Sequence, residues 1–81
     1  MTPSQCRAAR GLVEMSQASL AQSANVGLST VKNFEAGRSV PVANNLDAIR
    51  RVLEAAGVQF IPENGGGAGV RWAKRREAGS E

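Results

Sequence analysis

Between Gln17 and Arg38 stands a set of side chains whose types suit the reading and gripping of duplex DNA. Lys32 can donate to guanine O6 and N7, and Asn33 can form a bidentate pair with adenine. Leu28 or the methyl of Thr30 can touch a thymine methyl, and Ser29 falls on the same side of a helix as Lys32 and Asn33. Gln17 opens a helical segment, where backbone N–H groups can grip a phosphate. Arg38 follows the segment carrying Lys32 and Asn33 and is placed for a phosphate across the groove. Each has a blander reading: Lys32 and Asn33 as solvated surface, and Arg38 as a charge that favours a helix C-terminus.

Other chemistries find no support. The chain of 81 residues has no histidine and one cysteine, which removes histidine-based acid–base catalysis, zinc ligation and an intrachain disulfide. Cys6 reads as a small apolar residue packed on the first helix. The run Gly65-Gly66-Gly67 lacks the following helix and Lys-Ser/Thr pair of a phosphate-binding loop. An enzyme is therefore not expected, nor a cofactor or metal.

Two short helices joined by a tight turn would position these groups. The spacing predicts one helix over about 17–24, capped by Ser16, and another over about 28–36, ended by Gly37 at the C′ position. Leu20, Ala24, Val26, Val31 and Phe34 are apolar where two crossing helices bury side chains, and Ala21 is small where they come closest. Asn25 sits at the turn, where a left-handed backbone is needed and Asn tolerates it better than any branched residue. A first helix is expected from about Pro3 to Val13, capped by Thr2 or Ser4, with Cys6, Ala9 and Val13 or Leu12 facing inward. After a loop at 37–42, where Pro41 blocks helix continuation, a fourth helix is expected over 43–56. Its stripe of Leu46, Ile49, Val52 and Leu53 faces the core, and Gly57 ends it.

This pattern resembles the lambda-repressor-like, or XRE-type, helix-turn-helix regulators. The residues that carry the resemblance are Arg10, Ser16-Gln17, Leu20-Ala21, Val26, Ser29-Thr30-Val31 and Glu35-Ala36-Gly37, within residues 3–57, about two thirds of the chain. The resemblance implies a mainly α fold, a bundle of four or five helices with 28–36 as the recognition helix and base contacts from Leu28, Ser29, Lys32 and Asn33. It also implies that Gln17 touches the DNA backbone while bracing that helix, and that Arg10 pairs with Glu35 in a structural ion pair.

After Gly57 the pattern changes to Val58-Gln59-Phe60-Ile61 and Gly69-Val70-Arg71-Trp72-Ala73, which reads as a β-hairpin around a glycine-rich connection. The expected organisation is a helical DNA-binding domain at 1–57, a hairpin extension at 58–73 and a basic tail at 74–81. An isolated two-stranded hairpin is barely stable in water, so Val58, Phe60, Ile61, Val70 and Trp72 are expected to pair with the hairpin of a second subunit. The competing dimer contact is the helix at 43–56.

The net charge of +3 suits a polyanionic partner. Four of the ten Lys and Arg residues are Arg71, Lys74, Arg75 and Arg76, which serve either as a solvated tail or as an auxiliary phosphate contact. No apolar run approaches the roughly 18 residues of a membrane span, and no secretion signal is evident, so a cytoplasmic location is expected. The functional expectation is a sequence-specific, dimeric transcriptional regulator, most simply a repressor or autoregulator that occludes RNA polymerase at an inverted-repeat operator. The alternatives are an antiactivator that docks on another transcription factor, and an antitoxin of a toxin–antitoxin pair.

Overall fold

The computed structural model describes residues 1–74, and these form four helices followed by one antiparallel hairpin. Helix α1 spans Pro3–Val13, α2 Gln17–Ala24, α3 Leu28–Glu35 and α4 Ala43–Ala55. Strand β1 is Val58–Ile61 and β2 is Gly69–Trp72. Of the expected basic tail, Arg75, Arg76 and the rest of 75–81 lie outside the described residues.

Local chemistry sets the helix ends. Thr2 caps α1 reciprocally with Gln5: the Gln5 N–H donates to Thr2 Oγ1 at 3.1 Å, and the Thr2 N–H donates to Gln5 Oε1 at 2.8 Å. Pro3 occupies the first turn, where its missing N–H costs nothing. Ser16 caps α2 through the Ser19 N–H at 3.0 Å. The turn from α2 to α3 passes through Asn25 at φ 58°, the left-handed conformation expected there, and Val26 N–H then closes back on Ala21 O at 3.0 Å. Gly37, at φ 76°, ends α3 in the same way, with Arg38 N–H on Asn33 O at 2.9 Å. Glu14, at φ 56°, is a left-handed stop after α1 that its residue type does not announce.

All four helices and β1 contribute to one core. Cys6, Ala9, Leu20, Ala21, Ala24, Val31, Phe34, Ile49, Leu53 and Val58 are buried together, with Leu12, Val13, Leu46, Val52, Phe60 and Val70 packed around them. Fully burying a side chain such as Leu20, Ile49 or Phe34 contributes about 1.5–3 kcal/mol each.

The hairpin is not a separate unit. Val58 pairs with Trp72 and Phe60 with Val70, so these four share one face of the sheet, while Gln59, Ile61, Gly69 and Arg71 share the other. The first face leans on the helices. Val58 is 2% exposed within the chain's own core. Gln5 Nε2 donates to both Ile61 O and Gly69 O at 3.0 Å, fastening the loop end of the hairpin to α1. Gly57, at φ 112°, suits glycine twice over: the backbone is one that other residues rarely adopt, and a Cβ there would crowd the Trp72 ring at 3.1 Å. The expectation that the hairpin's apolar residues need a second subunit to cover them is thus corrected for Val58, because the helices of the same chain already cover it. Among the described residues no helix is long and apolar enough to cross a membrane.

Candidate nucleic-acid interface

The geometry of α3 follows from helical spacing. Val31, Phe34 and Glu35 point into the protein and are 0%, 2% and 3% exposed. Leu28, Ser29 and Lys32 stand on the opposite side and are exposed, with Asn33 beside them half-buried. Thr30 is half-buried at the flank of α3, and its Oγ1 lies near Gly27, the N-cap residue. Gly27 offers no side-chain cap to the first N–H groups of α3, and the Thr30 N–H turns back on Gly27 O at 3.0 Å. Arg38 is exposed just beyond the end of the helix.

Glu35 holds this helix in place. Its carboxylate accepts Arg10 Nε and Nη2, both at 2.6 Å, Gln17 Nε2 at 3.0 Å and the Cys6 thiol at 3.2 Å. Arg10 Nη1 also donates to Met15 O at 3.0 Å, in the turn between α1 and α2. One buried carboxylate therefore ties α1, α2 and α3 together. No described buried side-chain polar atom lacks a partner, which is the condition for such a network to be tolerable in a core.

The electrostatics agree with the geometry. Burial raises the Glu35 carboxyl, but the hydrogen bonds from Arg10, Cys6 and Gln17 outweigh it and hold the group below its ordinary value. Hydrogen bonding to Glu35 raises Arg10, against the opposing effect of burial. Burial, reinforced by the neighbouring Glu35, pushes the Cys6 thiol up to about 12 and keeps it a neutral donor.

The positions foreseen from the sequence fall into three groups. Leu28, Ser29, Lys32 and Asn33, with Thr30 at the edge, come together on one face of α3, and Arg38 extends that surface. Arg10 and Glu35 are joined directly. Gln17 has its side-chain amide on Glu35, so it braces α3 from the start of α2. Phe60, Ile61, Val70 and Trp72 are half-buried on the hairpin, and only Val58 is wholly internal.

Two contributions lie outside those foreseen positions. Cys6 reads as a plain apolar residue, yet its thiol is the fourth donor to Glu35. Gln5, three residues after Thr2, is spaced for the capping box, but nothing local signals that its amide, in a residue 6% exposed, also joins the cap to the hairpin.

Lys32 and Arg38 at α3, like Arg7, Arg71 and Lys74, carry charge with no carboxylate at ion-pair distance among the described residues. Arg50 is paired with Glu54 at 3.0 Å, Arg51 with Asp47 at 2.9 Å and Arg10 with Glu35. No protein-family model and no curated protein matches the chain.

Proposed function

We propose that the chain is a sequence-specific double-stranded DNA-binding transcriptional regulator of lambda-repressor-like helix-turn-helix type, with α3 as its recognition helix. The observation that carries this reading is the two-sidedness of α3. One face is locked into the core through Val31, Phe34 and Glu35, and the other presents Leu28, Ser29, Lys32 and Asn33. The left-handed Asn25 turn between two eight-residue helices supports the same reading. In this account α3 enters the major groove with Lys32 and Asn33 at base edges, while Arg38 and the start of α2 meet the backbone.

One domain of this size makes few contacts, and two copies on an inverted repeat make the second contact intramolecular. The homodimer pairs through the hairpins, whose sheet carries no third strand among the described residues. Occlusion of the polymerase is the simplest output. In a mobility-shift assay, Asn33→Ala is expected to cost about 1–3 kcal/mol and to relax preference at one base position. Unchanged affinity and sequence preference in the Lys32→Ala/Asn33→Ala double variant would reject α3 as the recognition helix.

A second reading, an antiactivator that docks on another transcription factor, draws support from Val40 and Val42. These are 74% and 68% exposed on the loop between α3 and α4. It predicts that the wild-type chain leaves duplex DNA unbound and that Val40→Ser/Val42→Ser abolishes capture of the factor.

A further inference from the structure

We infer that Arg7, on α1, contacts a DNA phosphate and extends the binding footprint beyond α2 and α3; this rests on the DNA-binding reading above. Arg7 is exposed, yet its guanidinium is held in one place. Nη1 donates to the backbone carbonyl of Glu35 at the end of α3, and Nη2 donates to Ser4 Oγ at 3.0 Å. A guanidinium has five N–H donors. With two committed here, three remain for another acceptor.

The held position is informative. Glu35 is the last residue of α3, and Arg38, three residues on, has its own N–H bound to Asn33 O. Two exposed arginines, one on α1 and one in the turn after α3, thus lie at the same end of the proposed recognition helix. Neither has a carboxylate at ion-pair distance among the described residues, unlike Arg50 and Arg51 on α4. The planar fork suits a phosphate, and a side chain already fixed loses little conformational freedom on binding.

A structural role alone, with Arg7 closing the carbonyl end of α3, requires only the Nη1 bond. The two roles separate in the salt dependence of binding. Each phosphate contact contributes about −0.9 to the slope of log K against log salt concentration. Arg7→Gln removes the charge while retaining a side-chain N–H donor, and thermal melting registers any loss of the bond to Glu35 O. Ser4→Asp keeps Arg7 and sets a carboxylate against it, at a helix N-terminus that favours the negative charge.

Both variants are measured by fluorescence anisotropy on a selected duplex and on a scrambled one, with thermal melting alongside. Each is expected to make the slope shallower by about one and to weaken both duplexes by a similar factor, the mark of a phosphate contact. Slopes equal to the wild type's in both variants, while Arg38→Gln flattens its own, overturn the Arg7 contact and leave the DNA-binding reading standing. A wild-type chain that binds neither duplex defeats that reading and the Arg7 contact with it.

Discussion

Glu35 is the residue on which the geometry of α3 turns, since the face with Ser29, Lys32 and Asn33 points outward only while the opposite face is held. Removing one member of a buried ion pair leaves the other uncompensated, at about 3–5 kcal/mol. Glu35→Ala is expected near the lower end, about 3 kcal/mol, because the Arg10 side chain is 20% exposed and can regain water. Urea denaturation followed by circular dichroism measures it, and an unchanged midpoint would show that Glu35 holds nothing. The same carboxylate sets an acid limit. Its folded value lies below the ordinary 4.5, so the folded chain binds this proton more weakly than the unfolded chain does. The stabilisation is complete above pH 4.5 and drains as pH falls through the depressed folded value. Melting temperature should decline below pH 4.5 in the wild type, and the decline should be shallower in Glu35→Gln.

At the scale of elements, the hairpin depends on a latch that the sequence does not advertise. Gln5 completes the cap of α1 with Oε1 and uses both hydrogens of Nε2 on Ile61 O and Gly69 O. Gln5→Ala leaves those carbonyls without their donor and removes half of the capping box, which should cost about 1–3 kcal/mol. Trp72 is the only tryptophan and sits on the strand that the latch restrains, so its emission reports on docking. In Gln5→Ala the emission should shift to the red at lower urea than the helical signal is lost. Coincident transitions in both proteins would mean that the hairpin is held by its apolar face alone. Gly57 acts at the other end of the hairpin: its φ of 112° turns the chain out of α4, and a Cβ there would crowd the Trp72 ring at 3.1 Å.

At the scale of the whole molecule, the proposed homodimer is constrained by what the fold already covers. Val58 is covered by the chain's own helices, so what remains for a second copy is the half-buried Phe60, Val70 and Trp72, the opposite face and the strand edges. Ile61 is the large apolar residue on that opposite face and is half-buried. Ile61→Lys should therefore yield monomer mass in light scattering while helical content is kept, and binding to a two-half-site operator should weaken. A dimer that survives this substitution would move the contact to α4. Paired hairpins must also set two α3 helices about 34 Å apart to meet an inverted repeat.

The sequence by itself determined most of the elements, because their ends are local events. Thr2, Ser16, Asn25 and Gly37 each act within a turn of their own position, and the apolar stripes of α1 and α4 repeat at the helical period. It also determined which face of α3 turns outward, since Val31 and Phe34 leave Ser29, Lys32 and Asn33 on the other side. The tertiary structure decided what depends on distant groups meeting. Gln5 and Cys6 carry polar atoms whose partners lie 56 and 29 residues away, and no local pattern foretells such partners. Val58 reads as free apolar surface until α4 and α1 are seen to cover it. The Glu14 stop was equally hidden, for a glutamate takes a left-handed conformation only where the surrounding structure compels it.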